Sequence, residues 1–453
     1  MSLPAHILMR APVNANAGSK VKAGAGREFT HILLMDDDAI IEPDSIVRLY
    51  GLLTTLRDEW SEAAVGGSMM REDFPGILYE NGSIWDQDHA ILFKGDNDMC
   101  VYEHAVADYV MKPYGENERF SGWWFYCAPV TTMRSDNLPL PIFIHRDDIE
   151  YCIRNQAKGI IFLNGIGIWH RPFDVNDPSM NVYSYGRNGL IMTALHTDGA
   201  KQRKKLLMSI FRGILISYTV RYRYTDIELL EKAVDDFLKG PDFIMYTDPE
   251  QILKEVQAVS LKFRLPEEWA EYGNSGSSCV SAGAGNNGGT GNARGTGNAV
   301  LLEKQAGNSA GKKAVNSAEY LTEREYKTVA AEIEKFGKEE LLKSIREPRK
   351  TGSLKVKLSL NGCLLPASVP LKAVPITASP VELYRVKKAV VFEPYGHKSY
   401  IGVKNYRKLF NCLMIALRCM RRLSSEGEKV SLMYREKFAE MTSVEFWEKY
   451  LGL

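Results

Sequence analysis

Short apolar runs alternate with segments of helical spacing in the first part of the chain. Phe29 to Met35 and Ile160 to Leu163 are apolar and rich in branched residues, as expected for buried parallel strands. Ser45 to Leu56 carries apolar residues at helical spacing, and Ala63 to Met70 predicts a further strand. Strands that alternate with helices in this way indicate an α/β domain with a mostly parallel sheet.

The pattern becomes mainly helical from Met180 to about Trp269, and the composition then changes. Residues 273–299 are dominated by glycine, asparagine, serine and alanine, which cannot bury a core, so we predict a flexible linker. A phosphate-binding loop is disfavoured because no strand precedes the segment and no Gly-Lys-Ser/Thr ends it. We therefore divide the chain into a partial α/β domain, a helical region, the linker and an α-rich C-terminal region, at residues 1–200, 201–272, 273–299 and 300–453.

The C-terminal region is predicted to be rich in helix with a few strands. Residues 318–346 predict a charged helix, Leu354 to Leu360 is strand-like, and Ala389 to Val403 resembles a hairpin. Two helices are predicted at the end of the chain, and Thr442 to Glu445 matches a capping box for the second one. The fold class predicted for the whole chain is thus α/β with a largely helical C-terminal region.

Composition narrows the class of protein. The 453 residues are 45% hydrophobic and 25% charged, and the formal net charge is +1. The chain therefore has no overall positive electrostatic field that would favour binding to nucleic acid. The seven cysteines form no Cys-X-X-Cys pair, which argues against a zinc site or a disulfide framework. The most apolar stretch, Leu206 to Val220, is too short to span a bilayer. We therefore expect a cytoplasmic protein without a signal peptide.

Three adjacent carboxylates, Asp36, Asp37 and Asp38, follow the strand predicted at Phe29 to Met35. Ligands bind at the carboxyl ends of strands in open α/β sheets, and clustered carboxylates there need a positive partner. A divalent cation that binds a diphosphate would supply both the ligand at the strand ends and the positive partner of the carboxylates. A solvated acidic loop is the alternative for the triplet taken alone.

Further polar and aromatic groups follow other predicted elements. Asp147 and Asp148 precede a helix-like run, where they either cap the helix or supply a general base. His170 follows an apolar strand, and an imidazole beside carboxylates suits Mn²⁺ or a similar ion. Trp123 and Trp124 offer aromatic faces to a sugar ring, although core packing is the alternative for at least one of them.

The order of these motifs resembles that of the galactofuranosyltransferases within the large inverting glycosyltransferase family 2. The matching segments are ILLMDDDAIIEPDSIVRL, AAVGGSMM, FSGWWFYCAP, HRDDIEYCIRNQAKGIIFLNGIGIWHRPF and VYSYGRNGLI. The resemblance covers roughly residues 14–195 and weakens after residue 200. It implies a GT-A fold, which is Rossmann-like, followed by a mostly helical region.

The resemblance also implies roles for single residues at the acceptor side. Asp148 matches the catalytic base of the family. Asp147 matches a residue that binds acceptor hydroxyls, and Trp123 and Trp124 match a tandem pair at the acceptor site.

At the donor side, Asp36 and Asp38 match residues that engage the diphosphate of the nucleotide sugar. Asp38 and His170 match the residues that hold the divalent cation, Mn²⁺ or Mg²⁺. Arg187 and Asn188 match an Arg-Asn pair of the family, and we assign no role to them from the sequence.

The implied function is inverting transfer of a sugar, galactofuranose, from a UDP-sugar to a lipid-linked or polysaccharide glycan acceptor during cell wall biogenesis. Transfer of another sugar, such as rhamnose or glucose, and a non-catalytic glycan-binding subunit both stay open. Further strands precede the acidic triplet in that family, whereas only 35 residues precede Asp36 here, so we expect part of the donor-binding domain to be missing.

Membrane contact and self-association are open alternatives. The helix predicted from Val403 to Leu423 surrounds the apolar run LFNCLMIAL with basic residues. Such a helix either lies on the anionic inner face of the cell membrane or packs on the protein with a solvated basic face. A homo-oligomer is likewise left open by the sequence.

Overall fold

The computed structural model describes residues 27–85, 97–109, 119–155, 159–265, 268, 321–346 and 352–453, together with the backbone of strands at residues 5–9 and 21–23. The segment 273–299, for which we predict a linker, lies outside the described residues.

Strands dominate the described residues up to His170. They are β1 (Ala5–Met9), β2 (Val21–Ala23), β3 (Arg27–Phe29), β4 (His31–Met35), β5 (Ile40–Ile41), β6 (Ala64–Arg71), β7 (Ile77–Glu80), β8 (Ser83–Ile84), β9 (Asn97–Asp98), β10 (Arg119–Phe120), β11 (Tyr126–Pro129) and β12 (Ile160–His170). Three α-helices lie between them: α1 (Pro43–Thr55), α2 (Tyr102–Tyr109) and α3 (Asp147–Asn155). The predicted succession of strand, acidic turn and helix over residues 29–58 is confirmed by β4 and α1.

The main sheet has the strand order β1-β4-β11-β6-β12-β5, and β7 and β9 extend it from β6. β12 is parallel to β6, whereas β11 is antiparallel to both β4 and β6. The α/β class is therefore confirmed, but the sheet is mixed rather than mostly parallel. An apolar run predicts that a strand is buried but not the direction in which it enters the sheet. β11 enters between β4 and β6 in the opposite direction to both.

Helices dominate the described residues after His170, as the sequence predicts. They are α4 (Ser179–His196), α5 (Ala200–Thr219), α6 (Tyr224–Leu238), α7 (Pro241–Tyr246), α8 (Pro249–Val259), α9 (Glu323–Lys335), α10 (Lys338–Arg346), α11 (Leu354–Leu358), α12 (Tyr406–Met441) and α13 (Val444–Leu451). A second sheet joins β13 (Val369–Pro375), β14 (Val386–Phe392) and β15 (Ser399–Val403). The antiparallel pair β14–β15 confirms the predicted hairpin.

Two local predictions for the C-terminal region are wrong. Leu354 to Leu360 is not a strand, because the helix α11 occupies Leu354–Leu358 and the next two residues form a turn. The capping box predicted at Thr442 to Glu445 does not form, because Thr442 ends α12 and is not the N-cap residue of α13. Ser443 caps α13 by accepting a hydrogen bond from the backbone N–H of Phe446 at 3.2 Å.

Helix α4 is the central helix of the molecule. It packs against α5, α6 and α12, and most of its side chains are buried, which is why its apolar residues follow no single face. One large apolar cluster joins residues of α4, α5 and α6 to residues of β14 and α12. Along the described part of the chain, no helix combines the length and the apolar character needed to cross a bilayer.

Candidate active site

Asp36, Asp38 and His170 come together at one edge of the main sheet. The two aspartates flank the turn between β4 and β5, and His170 is the last residue of β12. Each side chain offers one ligand atom, and these atoms all lie within 4.8 Å of one another. Asp38 Oδ1 is 3.0 Å from His170 Nε2 although 132 residues separate them in sequence. The structure thus groups three residues that the sequence analysis connects with a donor and a cation.

Strand pairing explains how His170 reaches the acidic turn. β5 directly follows the turn and pairs with β12, so that Ile40 lies opposite Trp169. β12 also approaches β6 closely at Gly167, where a Cβ atom would lie 2.5 Å from the carbonyl oxygen of Ser68. A residue without a side chain is therefore needed at Gly167 for the end of β12 to keep this position.

The hydrogen bonding of His170 leaves its Nε2 atom facing the carboxylates. Its Nδ1 atom lies 2.7 Å from the carbonyl oxygen of Arg171. A carbonyl can only accept, so Nδ1 carries the proton, and the lone pair of the neutral ring is then on Nε2. Metal-binding histidines commonly donate their other ring N–H to a carbonyl in this way. The donor set of Asp36, Asp38 and His170 therefore fits a divalent cation such as Mn²⁺.

Asp147 and Asp148 begin α3 and face the same region. Burial raises the pKa of Asp147 to about 6. Burial and the neighbouring charge of Asp147 raise the pKa of Asp148 well above its ordinary value. The charge of Asp36 contributes to both shifts, and burial raises the pKa of Asp36 itself. Carboxylates that oppose one another's ionisation in this way make a favourable place for a bound cation.

Glu80 belongs to the same acidic group, and the sequence analysis missed it. It ends β7, is only 2% exposed, and accepts a hydrogen bond from Ser83 Oγ at 2.6 Å. Burial raises its pKa to about 7, and its charge contributes to the raised pKa of Asp148. The signal in the sequence is a single carboxylate after the apolar run Ile77 to Tyr79, before a turn at Gly82.

The two tryptophans differ in their surroundings. Trp124 is buried, and its Nε1–H donates to the carbonyl oxygen of Gly67 at 3.3 Å. Trp123 is half-buried and packs edge-on against Tyr151, with ring centroids 5.8 Å apart. Its Nε1 atom has no hydrogen-bond partner among the described residues. Trp124 is therefore the member of the pair that packs in the core, as the sequence analysis allowed.

Phe173 is an exposed aromatic ring beside the Asp-Asp-His group that the sequence analysis also missed. Its ring centroid is 5.1 Å from that of His170 and 6.1 Å from that of Trp124. Buried Arg71 fixes the neighbouring loop, because its guanidinium pairs with Asp73 at 2.9 Å and with Asp174 at 3.1 Å.

In this fold, two carboxylates and an imidazole are grouped beside the half-buried pair Asp147 and Asp148. No family model matches the chain. The chain is similar to the galactofuranosyltransferase GlfT2 of Mycobacterium tuberculosis, with 29% identity over 241 residues, which is 50% of this chain and 37% of the relative. It is also similar to the galactofuranosyltransferase GlfT2 of Mycolicibacterium smegmatis, with 31% identity over 225 residues, which is 47% of this chain and 34% of the relative.

The similarity confirms the resemblance to galactofuranosyltransferases that the motif order indicates. The matched region spans little more than a third of the length of these curated relatives and about half of this chain.

Proposed function

We propose that this chain carries the catalytic site of an inverting glycosyltransferase that transfers galactofuranose from a UDP-sugar to a glycan acceptor. The observation that carries the proposal is the grouping of Asp36, Asp38 and His170 beside the half-buried pair Asp147 and Asp148. Both similar proteins are galactofuranosyltransferases, which supports galactofuranose as the sugar.

Asp38 and His170 would hold the divalent cation, Mn²⁺ or Mg²⁺, and Asp36 would complete the binding of the donor diphosphate. A cation bound there supplies positive charge to the diphosphate leaving group. His170 Nε2, which lies 3.0 Å from Asp38 Oδ1, and the nearby carboxylate oxygens are suitable ligands for it once Nδ1 carries the ring proton.

Asp148 would act as the general base. Its carboxylate takes the proton of an acceptor hydroxyl, whose oxygen bonds to the anomeric carbon while the bond from that carbon to the UDP oxygen breaks on the opposite face. Asp148 Oδ1 accepts a hydrogen bond from the backbone N–H of Ile149 at 2.7 Å, which fixes its direction. A raised pKa also suits a base, because proton transfer is most effective when the pKa lies near the working pH.

Asp147 and Trp123 would bind the acceptor. Asp147 offers carboxylate oxygens to sugar hydroxyls beside the base. Trp123 has a partly exposed ring, and Phe173 adds a second exposed ring near His170.

Two substitutions separate the base from the cation site. Asp148→Asn keeps the size of the side chain but cannot accept the proton, so transfer should fall by about 10²–10⁴-fold while binding of UDP and Mn²⁺ persists. Asp38→Ala should instead weaken binding of Mn²⁺ and, with it, of UDP. The measurements are product formation from UDP-galactofuranose and calorimetric titration with UDP and Mn²⁺.

Each outcome decides between interpretations of the site. Near-normal turnover by the Asp148→Asn variant would transfer the role of base to Asp147 or Glu80. Loss of cation binding in that variant would assign Asp148 to the cation site. Turnover with UDP-glucose or a rhamnose nucleotide, but not with UDP-galactofuranose, would show that the enzyme transfers that other sugar. Binding of a glycan without any turnover would indicate a non-catalytic subunit.

We further propose that the start of α12 contacts an anionic membrane surface at its cytoplasmic side, where a lipid-linked acceptor would be reached. Tyr406, Phe410 and Leu417 are 54%, 64% and 62% exposed and lie on one helical face. The sequence from residue 403 to residue 425 contains no aspartate or glutamate, and exposed Arg407 and Arg421 border the apolar face. Apolar side chains with a basic border suit a surface of anionic lipid.

A further inference from the structure

The segment that leads into α3 has an unusual backbone. Ile144, His145 and Arg146 have φ angles of 60°, 81° and 73°, in the left-handed region that residues with side chains rarely adopt. β-Branched Ile144 is least suited to this conformation. The carbonyl oxygen of Arg146 accepts a hydrogen bond from the backbone N–H of Glu150 at 3.0 Å, so the helix begins directly after the segment.

Asn188 of α4 holds this segment from the other side. Its Nδ2 atom donates to the carbonyl oxygens of Phe143, Ile144 and His145 at 3.2, 3.4 and 2.8 Å. The ring of His145 also stacks on Tyr185 of α4, with centroids 4.0 Å apart. Asn188 is completely buried, so it cannot touch a ligand and acts only through the segment that it holds.

Arg187 fixes the orientation of the Asn188 amide. Its Nε–H donates to Asn188 Oδ1 at 3.0 Å, and its Nη1 donates to the hydroxyl of Tyr183 at 3.1 Å. The Tyr183 hydroxyl donates in turn to Asp236 Oδ2 at 2.8 Å. Because a guanidinium only donates and a carbonyl only accepts, the amide oxygen must face Arg187 and the amide nitrogen must face the segment. The Arg-Asn pair of the sequence is thus a hydrogen-bonded unit.

We propose that Asn188 is a positioning residue for glycosyl transfer: it holds the left-handed segment Ile144 to Arg146 and thereby fixes the direction of Asp147 and Asp148. This inference rests on the proposed function. Strained backbone persists only where its surroundings hold it, and it is concentrated at functional sites. Without the three hydrogen bonds the segment relaxes toward ordinary φ angles, and the two carboxylates that follow it directly are displaced.

Kinetics of Asn188→Ala test the inference, with Thr193→Ala as the matched control. Thr193 is buried on the same helix, and its hydroxyl donates to the Gly189 carbonyl at 2.9 Å without touching the segment. Asn188→Ala should lower kcat about 10–100-fold, as expected for a base misplaced by about 1 Å, and leave the Kd for Mn²⁺ unchanged. Thr193→Ala should keep a near-normal kcat even where its Tm falls equally.

A second variant shows whether Asn188 acts through backbone strain. Ile144→Gly provides a residue that adopts the left-handed region readily, so it should restore part of the kcat lost in Asn188→Ala. If Asn188→Ala does not fold, the double variant is compared with Ile144→Gly alone. An unchanged kcat in Asn188→Ala, or an equal loss in Thr193→Ala, would overturn the inference.

Hydrogen exchange of the backbone amides at residues 143–150 gives a readout that does not depend on activity. Asn188→Ala should accelerate exchange there by about tenfold, because local opening becomes easier, and Thr193→Ala should not. The two proposals can then fail separately. Wild-type protein that binds no Mn²⁺ and transfers no sugar would refute the proposed function, whereas unchanged exchange in Asn188→Ala would refute the role of Asn188.

Discussion

Replacing Glu80 by glutamine should make the protein more stable at alkaline pH. Glu80 is buried, and its pKa is raised to about 7 from the ordinary 4.5 by burial. Ionised Glu80 therefore destabilises the folded state. A glutamine side chain keeps the size and can still accept the hydrogen bond from Ser83, but it carries no charge. The substitution removes one buried negative charge and little else.

The sign and the size of the effect follow from the two pKa values. Below pH 4.5 the carboxyl is protonated in both states, so Glu80→Gln should change nothing. As the pH rises from 4.5 to 7, the unfolded chain ionises first, and the folded wild-type protein loses stability relative to it. Above pH 7 the full difference applies, which corresponds to about 3 kcal/mol in favour of the variant.

Thermal unfolding of wild-type protein and variant between about pH 4.5 and pH 8.5 measures this effect. The difference in Tm should be near zero at the acidic end and should increase steadily to about pH 7. Exposed Glu72→Gln is the matched control and should stay within about 0.5 kcal/mol of wild type at every pH. A Glu80→Gln variant that is no more stable at pH 8 than at pH 5, relative to wild type, would refute the reasoning.

Two further predictions concern the tryptophan pair and α12. Trp123→Ala should raise the KM for the acceptor and cost less stability than Trp124→Ala, which should lose about 3–5 kcal/mol because Trp124 is a core residue. A larger loss of stability in Trp123→Ala than in Trp124→Ala, with an unchanged KM, would contradict these assignments. Leu417→Glu should abolish sedimentation with phosphatidylglycerol vesicles but leave the fold intact, and wild-type protein should not sediment with phosphatidylcholine vesicles. If the wild-type protein binds neither kind of vesicle and forms a dimer that the Leu417→Glu substitution dissociates, the exposed face is a contact between two copies of the chain.

The parts of the site that the sequence predicts are those carried by local patterns. Buried β4, the acidic turn and α1 are visible because apolar spacing and a run of carboxylates lie side by side. The proximity of Asp38 and His170 can be predicted because both residues lie at strand ends. The pairing of β5 with β12, which brings them together, cannot be predicted from the sequence. Composition and periodicity therefore predict which residues come together in the site, but they do not predict its geometry.

Other features depend on partners that are distant in the chain. Leu354 to Leu360 alternates apolar and polar residues like a strand, but a short alternation does not decide whether the segment pairs with a sheet, and α11 occupies Leu354–Leu358. The left-handed backbone of Ile144 to Arg146 is likewise imposed by Asn188, more than forty residues away, and not by any residue preference. The role of Glu80 depends on its burial near Asp148, which the sequence of one strand does not reveal.

The most direct test of the proposed function is the position of a bound cation. Crystals soaked with Mn²⁺ and UDP should show one anomalous peak in contact with Asp38 and His170, at about 2.0–2.3 Å from His170 Nε2 and a carboxylate oxygen of Asp38. The same peak should be absent from crystals of His170→Ala. A peak at another place, or no peak while UDP is bound, would contradict the proposal that these residues form a metal-dependent donor site.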